Sequence, residues 1–143
     1  MNLIKGVGYM RIVTTKILIL ETSLIIALDL AVQLIKEGYE VIGIHAKVDE
    51  ALCTLQEQKI DLLIFDIDNF PKSTVLEVSR QIWQCFPMPI VFIGVDTNVK
   101  LFQKEGLKIS YAFLPKPFNR KILLKVTERL LNPFEEGFVK IYV

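Results

Sequence analysis

Soft metal ligands are scarce in this sequence. Its two cysteines, Cys53 and Cys85, both fall in helical patterns, and its one histidine is His45. Neither cysteine has a CxxC or Cys/His partner at metal spacing, so no zinc or iron–sulfur site is indicated. They read as two ordinary buried thiols of a reducing compartment. Excess charge is missing too: 17 basic residues face 16 acidic ones. With no basic run, there is no electrostatic case for binding nucleic acid or an anionic membrane. No apolar stretch approaches the length of a bilayer span. The start, "MNLIKGVGYMRIV", is mildly basic but has no continuous apolar core, which is not the pattern of a signal peptide. A cytoplasmic location is expected. A Gly-rich phosphate loop and a Ser/His/Asp set are also absent, which argues against the common enzymes of layered α/β folds. His45 sits inside a strand pattern, away from the acids discussed below, and reads as a packed or edge residue.

Apolar residues, in contrast, make up 52% of the 143 positions, enough for one sizeable core. Five short apolar runs recur: Lys16 to Leu20, Glu40 to Ala46, Asp61 to Phe65, Pro89 to Val95 and Tyr111 to Leu114. They are rich in Ile, Val and Phe without polar alternation, as in strands covered on both faces of a parallel sheet. Between them lie helical patterns near Ser23 to Glu37, Val48 to Gln58, Ser73 to Phe86, Thr97 to Glu105 and Asn119 to Leu131. Gly38 and Gly106 stop two of these, and Asn119 can cap the last. In the first helix Asp29, Gln33 and Lys36 form one narrow polar stripe, so most of its surface is expected to be covered. The alternation predicts a three-layer α/β/α domain over 15–132 with a five-stranded parallel sheet. Residues 1–14 read as an irregular lead. Residues 133–143 read as a tail, linker or strand that pairs with something else.

"LLIFDIDNF" (Leu62 to Phe70) raises a physical question, because a run that reads as buried ends on a carboxylate. An unpaired buried charge is costly, which places Asp66 at a rim. Glu21 follows the first strand in the same way, and Lys116 follows the fifth. If the strand order is 2-1-3-4-5, the two acids meet at the switch point beyond the strand ends. Two carboxylates and a lysine suit a hard divalent cation plus an anion such as phosphate. Each residue alone has a plainer reading: Thr22 as a helix cap, Asp66 and Asp68 as turn acids, Lys116 as a solvated lysine. Three such residues at alternate strand ends are harder to explain that way.

These residues resemble the receiver domain of two-component response regulators, over roughly Lys16 to Leu131. "KILILETS" stands where that family has an apolar strand followed by an acidic pair. "DLLIFDI" is similar to the strand carrying the phosphate-accepting aspartate, "PIVFIGV" to the fourth strand, and "FLPKPF" to the fifth strand with its Lys-Pro pair. The resemblance implies a flavodoxin-like fold and assigns roles position by position. Asp66 would accept the phosphoryl group. Glu21, Asp66 and the backbone carbonyl of Asp68 would hold Mg²⁺. Lys116 would pair with the acceptor and then with its phosphoryl oxygens. The Lys116–Pro117 bond would be cis, a form that only proline makes cheap. Phe113 would occupy the aromatic switch position. The implied partner is a histidine kinase or histidine phosphotransfer protein. Nucleic-acid and membrane contacts are not expected of this domain. The first helix, being apolar, could meet a helical phosphotransfer partner. The fourth helix, fifth strand and fifth helix could offer a homodimer face, apolar here through Val99, Leu101, Phe102, Tyr111 and Phe113, although core packing explains several of these equally well.

Two positions depart from the family pattern. Thr22 replaces the second acid, and a neutral hydroxyl is a poor ligand for a hard dication. Gly94 replaces the Thr or Ser whose hydroxyl would grip the phosphoryl group. Asp68 could compensate for the lost metal ligand if its side chain turns inward. Two readings follow: a phosphorylatable relay domain, or a degenerate receiver that binds partners without phosphorylation.

Overall fold

The computed structural model describes residues 2–4, 8–10, 13–95, 99–134 and 136–143. The lead, expected to be irregular, contains β1 (Asn2–Ile4) and β2 (Gly8–Met10), paired antiparallel with Leu3 opposite Tyr9. Three-residue strands are too short for a two-residue period to declare itself, which is why the sequence pattern missed them.

From β3 (Lys16–Leu20) onward, strand and helix alternate. The series runs α1 (Leu24–Lys36), β4 (Glu40–His45), α2 (Val48–Glu57), β5 (Leu62–Asp66), α3 (Lys72–Cys85), β6 (Ile90–Gly94), α4 (Val99–Glu105), β7 (Tyr111–Pro115), α5 (Arg120–Leu131) and β8 (Lys140–Tyr142). The sheet order is β4-β3-β5-β6-β7-β8, all parallel. Its first five members carry the expected order. The sixth is a correction to the five-stranded expectation: the tail pairs with β7. Tyr111 N–H donates to the Val139 carbonyl (2.8 Å), Val139 N–H donates to Ser110 Oγ (3.0 Å), and the Tyr111 and Tyr142 hydroxyls bond each other.

Each strand sends alternate residues to opposite faces, and both faces are roofed by helices. Leu18, Leu63, Phe65, Phe92 and Tyr111 pack under α2, α3 and α4, whereas Ile17, Ile19, Ile64, Val91 and Leu114 pack under α1 and α5. This double burial explains the unbroken apolar runs. Ser23 caps α1 by accepting from the Ile26 amide (3.4 Å), so the cap is Ser23 and not Thr22; Asn119 caps α5 through the Ile122 amide (2.9 Å). Gly38, at φ +92°, lets the chain turn after α1 into β4, a conformation costly for a residue with a Cβ. Thr97, the expected start of α4, lies outside the described residues.

Three expectations about exposure are corrected. Cys53 and Cys85 are both exposed. On α2 the buried stripe is Ala51 and Leu55, which turns Cys53 outward, and Cys85 is the last residue of α3. On α1 only Ala27, Leu30, Ala31 and Leu34 are buried; Leu24, Ile25, Leu28, Val32 and Ile35 are exposed. Finally, of the residues expected to make the dimer face apolar, Phe102, Tyr111 and Phe113 are buried in the core, and the side chains of Val99 and Leu101 lie outside those described. Phe102 stacks on Phe92 at 4.3 Å between centroids, and β8 covers the edge of β7. Among the described residues, no helix is long and apolar enough to cross a membrane.

Candidate functional site

The parallel register brings the chemically active residues to one rim. Leu20 pairs with Phe65, so Glu21 and Asp66 leave adjacent strands at the same level. Ile67 N–H donates to the Ile93 carbonyl (2.9 Å) and Lys116 N–H to the Gly94 carbonyl (2.8 Å), which aligns β5, β6 and β7 there. Lys116 then reaches back across β6. Its Nζ lies 2.7 Å from Asp66 Oδ2 and 3.0 Å from Asp68 Oδ2. The Lys116–Pro117 peptide is cis. Glu21, Asp66, Asp68 and Lys116 are thus brought together, with Gly94 beside them.

Glu21 and Asp66 are each only 2% exposed. Burial, and next the Asp66 carboxyl beside it, push the Glu21 carboxyl up to about 7, against the opposing pull of the Ser23 amide and Lys116. Glu21 Oε1 accepts from the Ser23 amide (3.0 Å), while Oε2 finds no hydrogen-bond partner among the described residues. Burial would also raise Asp66, but the bonds from Glu21, Lys116 and the Asp68 amide (3.1 Å to Oδ1) prevail and hold it below the ordinary carboxylate range. The same ion pairs outweigh burial at Lys116 and raise its ammonium above the usual lysine value. Asp66, held ionised, thus lies between the Lys116 ammonium and a Glu21 carboxyl that burial shifts toward its neutral form, which eases the placing of two buried acids side by side.

Other expected residues lie apart or play different parts. Phe113 is buried against Phe102, at 5.7 Å between centroids. His45 bonds Thr54 Oγ1 through Nε2 (2.9 Å) and takes no side-chain part in the cluster; its carbonyl accepts from the Glu21 amide (2.9 Å). Asp68 does turn inward, toward Lys116 and toward the amide of Val95, which donates to its Oδ1 (3.1 Å). Thr22 Oγ1 accepts from Asn69 Nδ2 (2.7 Å). Sequence reading missed Asn69 and the Val95 amide. One is a plain turn residue and the other a backbone donor, and neither leaves a residue-type signal. A groove of about 410 Å³ near α5, lined by Lys125, Arg129, Phe134 and Ile141, shares no residue with the cluster.

The family model for the response regulator receiver domain matches residues 17–128. The chain belongs to that family. Among curated proteins, this receiver is 29% identical over 124 residues to the transcriptional regulatory protein PdtaR of Mycobacterium tuberculosis, an alignment covering 87% of the chain and 60% of the relative. The chain thus spans about three-fifths the length of the curated relatives it matches. Among solved structures, the receiver superposes on the chemotaxis protein CheY4 of Vibrio cholerae with a TM-score of 0.68 at 30% identity, covering 83% of this chain and all of the other. A response regulator receiver protein from Sinorhizobium medicae gives a TM-score of 0.68 at 28% identity, with 85% and 98% covered. A response regulator from Thermotoga maritima gives 0.71 at 24% identity, with 83% and 98% covered, a likeness of fold. Receivers generally bind Mg²⁺ at their acidic pocket and are signalling domains that work with kinases or phosphotransfer proteins.

Proposed function

We propose that this receiver accepts a phosphoryl group on Asp66 from a phosphohistidine of a partner kinase or phosphotransfer protein. The observation that carries this reading is the 2.7 Å pair between Lys116 Nζ and Asp66 Oδ2, with Asp66 kept ionised. A carboxylate oxygen attacks phosphorus, the phosphorus–nitrogen bond breaks, and its electron pair returns to the imidazole. The product is an acyl phosphate on Asp66. Such transfers depend on positioning and charge neutralisation more than on covalent help. Lys116 is fixed where negative charge gathers, and it can follow the charge from the carboxylate to the phosphoryl oxygens.

The donor set fits Mg²⁺, though thinly. Glu21 has a buried oxygen without a hydrogen-bond partner among the described residues, beside the Asp66 carboxylate. Hard oxygens suit this ion, which accepts few carboxylates and keeps several waters. Glu21 and Asp66 would hold it, together with the backbone carbonyl of Asp68. Bound there, it would neutralise phosphoryl charge. Thr22 brings no carboxylate, and no group of three acids, histidines or cysteines that could hold a metal occurs among the described residues. Weak affinity is expected. The exposed apolar face of α1 begins three residues after Glu21 and is the surface we assign to a helical phosphotransfer partner.

Incubation with acetyl phosphate and Mg²⁺, followed by intact mass, tests the reading. A phosphate-sized gain that disappears in Asp66→Asn is expected. No gain at high Mg²⁺ would instead favour the second reading, a receiver that binds partners without phosphorylation. That alternative draws support from the internal bonding of Thr22 to Asn69 and of Asp68 to Lys116.

A further inference from the structure

The Asp68 carboxylate has an arrangement that its role as a turn acid does not require. Its Oδ2 lies 3.0 Å from Lys116 Nζ, and its Oδ1 accepts from the Val95 amide at 3.1 Å. Its own amide donates to Asp66 Oδ1 at 3.1 Å. The carboxylate therefore lies beside the acceptor aspartate, between an ammonium just past β7 and a backbone donor just past β6. A phosphoryl group on Asp66 would draw on the same two donors. Gly94 makes this arrangement possible. A Cβ at position 94 would lie 2.8 Å from Asp68 Oδ1, closer than real side-chain atoms approach. At the surface next to it, Asn69 Nδ2 donates to Thr22 Oγ1 at 2.7 Å.

We propose that the Asp68 carboxylate occupies the anion site that phosphorylated Asp66 needs, made accessible by the missing side chain at Gly94. A carboxylate matches a phosphoryl group in negative charge and in offering two oxygens to two donors. The unmodified receiver thus already ties the Gly94–Val95 rim to Lys116. Phosphorylation of Asp66 has to displace this carboxylate, so Asp68 restrains the reaction and holds the rim in its absence. This rests on the receiver reading above and deepens it: the substitution at position 94 and the acid at position 68 act as one device.

The test uses the full chain with Asp68→Ala, Gly94→Ala and the double variant. The Asp68 backbone carbonyl survives in all of them. Urea unfolding gives a double-mutant cycle. Gly94→Ala is expected to lower the midpoint in the wild type, where the added Cβ must push the Asp68 carboxylate off its two donors, and less in the Asp68→Ala background. The second neighbour of a Cβ at 94, Ile67 Cγ1 at 3.0 Å, is common to both backgrounds and cancels. Additive effects would overturn the proposal. In parallel, the rate of labelling by acetyl phosphate is expected to rise several-fold in Asp68→Ala. Wild type that labels, with Asp68→Ala labelling no faster, would overturn the proposal and leave the relay reading standing. If neither chain labels, the relay reading fails, and a non-additive cycle still supports the occupied anion site.

Discussion

Glu21 is an acid without a cation of its own, and this makes the site sensitive to pH. Its folded value of about 7 lies above the ordinary 4.5, so between these values the folded chain holds a proton that the unfolded chain has released. Stability from this group is fully present below the ordinary value and is lost as pH rises through the folded one. In chelator, the unfolding midpoint should fall between about pH 5 and pH 7 and level off above. Glu21→Gln should flatten that slope and be more stable than wild type at pH 8, with little difference at pH 5. Parallel slopes for the two proteins, followed by circular dichroism, would remove the protonated-Glu21 account. Lys116→Met bears on the neighbouring pair. It leaves Asp66 buried without its counter-charge, and breaking a buried pair costs about 3–5 kcal/mol. Because the Lys116 side chain is 30% exposed, solvent screening lowers the expected loss to roughly 1–3 kcal/mol. Equilibrium unfolding at neutral pH measures it, and an unchanged midpoint would mean that water, not Lys116, balances the charge. Glu21, Asp66 and Lys116 were legible because carboxylates and an amine stood directly after apolar runs. The Asn69–Thr22 bond and the Val95 amide were not, because through-space pairs and backbone donors leave no pattern in a single chain.

At the scale of elements, sequence periodicity located the five helices and five central strands because each strand is roofed on both faces. It misjudged how deeply helices sit. The polar stripe of α1 is narrow, which suggested a covered helix, yet the sheet accepts only the stripe of Ala27, Leu30, Ala31 and Leu34. Hydrophobicity tells what a residue tolerates, whereas the width of the contact decides what is buried. The difference is measurable. Leu30→Ala should cost about 2–5 kcal/mol, because Leu30 is 1% exposed. Ile25→Lys, at a position 82% exposed, should stay within about 0.5 kcal/mol of wild type. If Ile25→Lys unfolds the protein as Leu30→Ala does, the α1 packing described above is wrong. Caps, in contrast, were readable where the residue type was specific. Asn119→Ala removes the acceptor for the Ile122 amide and should cost about 1 kcal/mol. The same unfolding measurement checks it, and a loss near zero would show that water replaces the cap.

For the whole molecule, the tail decides what the last edge of the sheet presents. Without β8, the backbone of Tyr111, Ala112 and Phe113 would form an open edge, and open edges recruit other strands. The tail closes it with Val139, just before β8 and 6% exposed, and with the half-buried Ile141 of β8. Burying two such side chains is worth roughly 2–4 kcal/mol before the entropy of ordering the segment is subtracted. The receiver fold does not need the tail to form its core, since all the helices pack on the sheet before residue 133. Truncation after Asn132 should therefore leave a folded chain with a lower unfolding midpoint. Its exposed β7 edge should also promote self-association. Circular dichroism would show the lower midpoint with helical content kept. Size-exclusion chromatography across a range of concentrations would show the truncated chain shifting to larger species where the full chain does not. A truncated chain with an unchanged midpoint and an unchanged elution volume at every concentration would mean that β8 neither stabilises the sheet nor guards its edge.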